Sequence, residues 1–253
     1  MIDLHTHLIP GVDDGSRSVA QSVSVLQRMQ ERGVTDVCLT PHLKASRAEQ
    51  GIPSAHDSAF AQLEASAPKG IKLHRGVELM LDRPFPVGAA GDGRLRLGRT
   101  RYILVEFMTG VAPPAALNAL TQVVQFGLIP VLAHPERYRC CTPAVVSHWK
   151  STGALMQVDG TTLFMPRSRG ERARALIAAG LADIVASDNH GDDRVLTECF
   201  VRLSENDGHE QAELLARGNP AAILADIHTS AVPPLTIKQS LLRRIRHLFN
   251  TEE

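Results

Sequence analysis

The strongest constraint on this chain is an alternation. Short runs of β-branched and apolar residues recur along it, separated by longer segments in which apolar residues return every 3.6 positions. Seven runs read as strands: 2–7, 35–42, 72–79, 102–107, 129–134, 154–159 and 183–188. Helix signals lie between them. Ser16 precedes a stripe of Val19, Val23, Leu26 and Met29 that ends at Gly33, and Leu117, Leu120 and Val124 repeat the pattern before Gly127. Thr142-Pro143 reads as a cap followed by a first-turn proline, and Ser168 opens a helix that closes at Gly180. Such alternation demands parallel strands joined by right-handed crossovers, in an open doubly wound sheet or a closed β/α barrel.

Segment 84–98, rich in Gly with Pro84 and Pro86, reads as an irregular excursion rather than a linker. Beyond Asp188 the chain reads as helical, through Asn219-Pro220 and into a helical extension from about residue 230. That extension carries Leu241, Leu242, Ile245, Leu248 and Phe249 beside Lys238, Arg243, Arg244 and Arg246, and is expected to dock on the body. No domain boundary interrupts residues 1–253, which read as one domain with ample length for a core.

Composition narrows the function classes. Lys and Arg number 27 and so do Asp and Glu, so the formal charge is zero, which excludes a protein built mainly to coat nucleic acid or anionic lipid. No stretch approaches the roughly 18 unbroken apolar residues of a membrane span, and Met1-Ile2-Asp3-Leu4-His5 has no signal-peptide pattern, so the cytoplasm is the expected location. Cys38, Cys140, Cys141 and Cys199 form no CxxC pair, which suits a reducing compartment and offers neither a disulfide framework nor a thiolate zinc site.

The chemistry is concentrated where the predicted strands end. In β/α folds those ends carry functional residues because their loops gather around one mouth. Here they read Asp3-Leu4-His5-Thr6-His7, Thr40-Pro41-His42, Gly76-Val77-Glu78, Val105-Glu106-Phe107, Ala133-His134-Pro135-Glu136-Arg137 and Ser187-Asp188-Asn189-His190. Residues two apart in a strand share a face, so His5 and His7 can meet one ion, with Asp3 beneath them as the group that orients their rings. Taken alone, HxH is a weak signal. Six strand ends bearing ligand types together call for metal, because clustered carboxylates without cations repel one another and lose hydration. Asp13-Asp14-Gly15 adds two carboxylates beside the first strand. His56, His74, His148, His209, His228 and His247 lie off these ends and read as incidental, although His74 shares the parity of Glu78 and can line a lower layer.

These motifs resemble the polymerase and histidinol phosphatase (PHP) superfamily of metal-dependent phosphoesterases. They are most similar to its bacterial protein-tyrosine phosphatase branch, associated with capsule and exopolysaccharide systems. Pro10-Gly11-Val12-Asp13-Asp14-Gly15 and the run from His134 to Tyr138 carry the resemblance to the branch, and HxH only that to the superfamily. The resemblance implies a distorted seven-stranded (β/α)7 TIM-like barrel holding three divalent ions, manganese foremost, with iron, zinc or cobalt as alternatives. It implies that His5, His7 and Asp188 hold one ion, and that Glu78 bridges to a second shared with Glu106 and His134. Asp14, His42 and His190 would hold the third. Arg137 and Arg194 would grip phosphate, although Gly191-Asp192-Asp193 is shorter and more acidic than the family leads one to expect.

The implied reaction is hydrolysis of phosphotyrosine in proteins, by attack of metal-bound hydroxide on phosphorus. The substrate would be a phosphotyrosine-containing protein such as a bacterial tyrosine kinase tail, with release of phosphate and a role in regulating exopolysaccharide or capsule synthesis. Asp14 serves first as a ligand and second as a proton donor to the leaving group. Phe107, Met108, Phe164 and Met165 are candidate rim residues. A cysteine-phosphatase route lacks a Cys-x5-Arg loop, and no GxxxxGK[ST] loop is present. Three other readings compete: a small-molecule phosphomonoesterase acting on a histidinol-phosphate-like ester, a non-catalytic metal-stabilised regulator, and an amidohydrolase, for which Lys44 is the nearest lysine to a strand end.

Overall fold

The structure is a computed structural model, and it describes residues 1–237. Nine strands are found among them: β1 (Ile2–Thr6), β2 (Asp36–Leu39), β3 (His42–Lys44), β4 (Lys72–Arg75), β5 (Glu78–Met80), β6 (Tyr102–Glu106), β7 (Ile129–Ala133), β8 (Leu155–Asp159) and β9 (Ile184–Ala186). All pair in parallel, in one sheet ordered β1-β2-β4 and another ordered β3-β5-β6-β7-β8-β9. The alternation therefore predicted the α/β class, but the expected count of seven strands is corrected to nine. Two predicted runs are each broken, 35–42 into β2 and β3, and 72–79 into β4 and β5. Pro41 sits at the first break, where it has no N–H to give a ladder. The neighbouring groups keep partners across the break: Thr40 N–H donates to Thr6 O at 2.8 Å and Glu78 N–H to Pro41 O at 3.1 Å. The last strand run also meets the first, with Asp188 N–H donating to His5 O at 3.0 Å and His7 N–H to Asn189 O at 2.7 Å.

The helices surround these sheets. Helix α1 (Val19–Glu31) is capped by Ser18 rather than Ser16: the Ser18 hydroxyl accepts from Gln21 N–H, while Ser16 is buried against Ser22. Gly33, at φ +84°, ends the helix as expected. Helices α2 (Ala45–Ala48) and α3 (Ser54–Ser66) occupy a stretch where no helix was anticipated. Helix α3 buries just His56, Phe60 and Leu63, too few apolar positions to write a stripe into the sequence. The predicted helices between later strands are α4 (Pro113–Gln125), α5 (Pro143–Lys150) and α6 (Ser168–Ala178). After β9 come α7 (Leu196–Ser204), α8 (His209–Glu213) and α9 (Asn219–Leu224), the last two joined by a π turn at Leu214–Gly218. The excursion at 84–98 is a series of short 3-10 turns.

The described start of the predicted C-terminal helix is not helical. Residues 227–237 run as irregular chain, because Pro233 and Pro234 cannot supply helical N–H groups. These residues pack on the body, burying Val232 and Leu235 and donating Leu235 N–H to Ile177 O of α6, and the docking expected of the apolar tail beyond them falls outside the described residues. Asn219 anchors the 227–237 segment from the other side, donating to Ser230 O and to Asp183 O. Leu241 to Phe249, the basic residues among them and His247 lie outside the described residues.

Two apolar clusters form the core. The larger packs helices against strands, with Leu26 and Met29 of α1, Leu120 of α4, Trp149 of α5 and Leu176 of α6 fully buried. The smaller gathers Leu4, Cys38, Tyr102, Leu104, Val131, Ala133 and Ile184, closed by Leu97 and Ile223. Leu104 and Glu106 share one face of β6, and His42 and Asp188 follow the strands that carry Cys38 and Ile184, so the array that is apolar in its first half turns polar at its C-terminal end. The burial that holds the sheet together thereby presents the polar groups at one end.

Lys150 on α5 pairs with Asp183 ahead of β9, whose buried carboxylate also accepts Met156 N–H at 2.8 Å. Burial pushes the Asp183 carboxyl above its usual range, against the pull of Lys150. Replacing Lys150 with Met strands that carboxylate and should cost about 2 to 4 kcal/mol of stability. Chemical denaturation checks this, and an unchanged midpoint would count against it.

Candidate metal and phosphate site

A cavity of about 620 Å³ opens at the C-terminal strand ends, lined by side chains that include Asp14, His42, Glu78, Glu106, His134 and Asp188. The structure brings all nine predicted ligand positions together. They fall into four overlapping groups with donor atoms within 4.8 Å of one another: His5, His7 and Asp188; His5, Glu78 and His134; His42, Glu78 and Glu106; and His7, Asp14, His42 and His190. The grouping differs from that implied by the resemblance: His7 also joins Asp14, His42 and His190, and His5 also joins Glu78 and His134. Glu106 lies with His42, 3.2 Å away, rather than with His134, from which it is 3.9 Å distant.

Local backbone explains how these side chains meet. The β1–β2 register is irregular between Asp3 and Thr6, and His5 Nε2 and His7 Nε2 approach to 3.1 Å. His134 and Asp188 both adopt left-handed backbone, at φ +35° and +48°, just past β7 and β9. Such strain in non-glycine residues persists only where surroundings enforce it, and here it turns two ligand types into the cavity. Gly15 is required by close approach: a Cβ there would lie 2.0 Å from His7 O.

The donor set suits a cation. His5 Nδ1–H donates to Gln157 Oε1 at 2.9 Å and His7 Nδ1–H to Asp13 Oδ2 at 2.8 Å. Both acceptors hold an Nδ1 proton, so whenever a ring is neutral its Nε2 presents a lone pair toward the other ring and toward Glu78 and Asp188 at 3.2–3.3 Å. Facing lone pairs and carboxylates repel unless positive charge lies among them. Buried Glu78 Oε2 and His134 Nδ1 have no hydrogen-bond partner. The electrostatics carry the same demand: against burial, Glu78 and Asp188 raise the pKa of His5, and Asp13, Asp188 and Glu78 hold His7 well above its usual value. His42 is raised to about 10, with burial opposing and Glu106 and Glu78 prevailing. Against burial in turn, the imidazoles drive Glu78 well below the carboxylate range, and His5, His7 and Arg137 do so for Asp188. Protons on the rings would supply the missing charge, and divalent ions would displace them.

The orienting groups differ from the expected one. Asp3 touches neither ring; its Oδ1 accepts backbone N–H groups of Ser187 at 3.1 Å and His5 at 3.4 Å, tying β1 to the end of β9. Asp13 and Gln157 hold the rings instead. Asp13 also accepts from Gly15 N–H and His42 N–H, so one carboxylate organises the first loop and two ligand positions. Of the two acids in the Asp-Asp-Gly run, Asp13 takes this structural part and Asp14 lies with His7, His42 and His190. Gln157, two residues before the end of β8, was missed, although its parity with Asp159 places it on the polar face. Tyr138 accepts from Phe107 N–H and donates to Ala133 O, joining the ends from which Glu106 and His134 emerge.

Arg137 lines the cavity on a short 3-10 turn after Pro135, and its Nη2 donates to Asp159 Oδ2 at 2.8 Å and to Asp188 Oδ2. Arg194 stands behind it, paired with Asp192 and 3.8 Å from Asp188 Oδ2. The expected rim is corrected: Phe107 is buried, Phe164 lies under Arg202, and Met108 and Met165 are exposed outside the cavity. Val12, Leu43 and Met80 supply the apolar lining, with Lys44 beside them. Among the described residues, none of the histidines read as incidental joins a metal-type group. His74 bonds instead to Asp36 at 2.9 Å.

Together the fold and the site define a class: parallel β/α proteins that gather imidazoles and carboxylates at their strand ends as a cradle for metal ions. Residues 1–225 match the family Capsular polysaccharide synthesis, CpsB/CapC, and the chain belongs to that family. It is 32% identical over 197 residues to the tyrosine-protein phosphatase YwqE of Bacillus subtilis, covering 75% of this chain and 77% of that protein. It is 25% identical over 241 residues to the tyrosine-protein phosphatase CpsB of Streptococcus pneumoniae, covering 89% and 99%. A solved structure described as YwqE and CpsB, unique metal-dependent tyrosine phosphatases, superposes with a TM-score of 0.79 at 26% identity, over 94% of this chain and all of that one. The lactonase Lmo2620 of Listeria monocytogenes shares the fold alone, with a TM-score of 0.60 at 14% identity over 94% and 95%.

Asp13→Ala should weaken metal affinity by about 10- to 100-fold, because His7 loses the partner that fixes its tautomer. Metal titration with retained folding checks this, and wild-type affinity would overturn the role given to Asp13.

Proposed function

We propose that this chain is a metal-dependent phosphatase that hydrolyses phosphotyrosine in proteins. The observation that carries the proposal is the convergence of His5 Nε2 and His7 Nε2 with Glu78 and Asp188, with Arg137 at the same mouth. The kinship with metal-dependent tyrosine phosphatases supports the reaction class. We read the two sheets as a distorted seven-stave barrel in which β2 with β3, and β4 with β5, each serve as one stave. Residues 1–253 are taken as one domain, placed in the cytoplasm, where the free thiols of all four cysteines fit a reducing environment.

His5, His7, Asp14, His42, Glu78, Glu106, His134, Asp188 and His190 would hold three divalent ions, manganese first among those that accept mixed imidazole and carboxylate shells. Such ions lower the pKa of bound water toward neutrality and stabilise charge on phosphoryl oxygens. The chain's residues supply the rest. Asp13 and Gln157 keep the His5 and His7 lone pairs aimed inward. Arg137 offers a planar fork that binds phosphoryl oxygens with more directional control than an ammonium group. Arg194 reinforces the positive field from behind. Asp14, 71% exposed at the mouth, is a ligand that can also pass a proton to the departing phenol. The apolar lining of Val12, Leu43 and Met80 suits an aromatic ring, and the exposure of Asp14 and Lys44 leaves the mouth accessible to a polypeptide. The substrate fits a phosphorylated tail of a bacterial tyrosine kinase, and its dephosphorylation would regulate capsule or exopolysaccharide synthesis, in keeping with the family.

His134→Ala and Asp188→Ala should each abolish turnover and lower metal content, whereas Arg137→Ala should lose phosphate capture and turnover with metal retained. Elemental analysis beside kinetics separates the two, and loss of metal from Arg137→Ala would refute the division of roles. Phosphotyrosyl peptides should be hydrolysed at least about tenfold faster per kcat/KM than alkyl phosphates, because a phenol of pKa about 10 leaves with less protonation. The reverse preference would favour a small-metabolite phosphatase.

A further inference from the structure

Asp159, at the end of β8, is a carboxylate on the polar face that joins none of the metal-type groups. It is 2% exposed, and its lone pairs are already engaged. Oδ1 accepts from Thr161 N–H at 2.8 Å, the Thr161 hydroxyl at 2.6 Å and Thr162 N–H at 3.3 Å. Oδ2 accepts from the Thr162 hydroxyl at 2.9 Å and from Arg137 Nη2 at 2.8 Å. The Asp159 N–H is itself held by Glu136 Oε1 at 2.9 Å. This carboxylate is rigid from three sides and directs one contact outward, to a cation facing the cavity.

We infer that Asp159 is a positioning residue that fixes Arg137 for the phosphoryl group through the bond between its Oδ2 and Arg137 Nη2. The inference rests on the proposed role of Arg137 in binding phosphate. Nη2 is shared between Asp159 and Asp188, while Nε and Nη1 have no protein partner among the described residues. Two anions on one nitrogen set the plane of the guanidinium and leave its other donors for an incoming ligand, so the ordering cost is met before phosphate arrives. Without Asp159, Asp188 is the one remaining anion on Arg137, and it also belongs to a metal-type group. The guanidinium would then follow Asp188 and lose its orientation toward substrate. The threonine collar keeps Asp159 from swinging into the metal cluster as an extra ligand.

The test compares D159N, R137A and the double variant in the metal-loaded enzyme. Its readouts are inhibition by inorganic phosphate, kcat and KM on a phosphotyrosyl peptide, metal per chain and thermal midpoint. D159N should weaken phosphate inhibition and lower kcat/KM by about tenfold, the size expected for loss of a charge-assisted hydrogen bond, with metal content unchanged. Added to R137A, D159N should change neither quantity further, because its effect passes through the arginine. Unchanged phosphate inhibition in D159N while R137A weakens it would overturn the inference, as would equal losses in both backgrounds. If R137A itself leaves phosphate inhibition intact, the assignment of Arg137 has failed and the inference falls with it. Should D159N not fold, Thr162→Val removes one bond to Oδ2 without changing charge. It should shift phosphate inhibition in the same direction by about two- to threefold, and no shift would overturn the inference.

Discussion

Carboxylates and imidazoles, packed together and largely buried at the C-terminal ends of parallel strands, are the condition on which the rest of this molecule depends. His5 and His7 are tautomerically fixed by Gln157 and Asp13, so their Nε2 atoms must face each other and two carboxylates in a buried setting. Burying such a set costs several kcal/mol per charged group unless cations lie among them, and the carboxylates raise the imidazole pKa values while the imidazoles lower those of the carboxylates. The fold accommodates this by placing its polar groups on one end of a strand face whose other end is apolar. Leu4, Cys38, Leu104 and Ile184 supply the burial energy, while Glu106 follows Leu104 on the same face of β6, and His42 and Asp188 reach the polar end across the break at Pro41 and through the left-handed turn past β9.

The sequence made the class of fold legible because strand and helix periods alternate cleanly, and it made the clustering of imidazoles and carboxylates legible because they recur at strand ends. What escaped it has physical causes. The breaks at Pro41 and at Gly76-Val77 depend on which neighbour each strand pairs with, a tertiary matter that apolar runs do not encode, so nine strands read as seven. Helix α3 carries too few apolar residues for a stripe, and Ser18 rather than Ser16 caps α1 because Ser16 finds buried partners of its own. Pro233 and Pro234 were visible, yet the apolar residues beyond them suggested helix from about residue 230.

Within the site, ligand types were readable while supporting groups were not. Asp3 has the right parity and the right chemistry to orient His5, but the register irregularity in β1 turns its carboxylate to backbone N–H groups. Gln157 takes that role from across the barrel-like array, a separation of 152 residues that no spacing rule reaches. Glu136 shows the converse. It is an acid inside the most ligand-rich motif, yet burial and the nearby Asp159 push it up to about 8, and it faces the Asp159 N–H rather than the cavity. Proximity to a motif therefore did not make it a ligand.

The disposition of carboxyl groups also bears on which ester the site can cleave. Of the acids lining the cavity, Asp13 is committed to His7, and Glu78, Glu106 and Asp188 are enclosed by imidazoles or Arg137. Asp14 alone among them stands largely exposed, 3.5 Å from His42 and 3.6 Å from His190, and in its proposed role as a ligand it would be at most a weak proton donor. A site so furnished favours a leaving group that departs with little protonation, and a phenolate meets that condition far better than an alkoxide. Selectivity of the proposed phosphatase for phosphotyrosine would then rest on what the site lacks in acid catalysis as much as on its apolar lining.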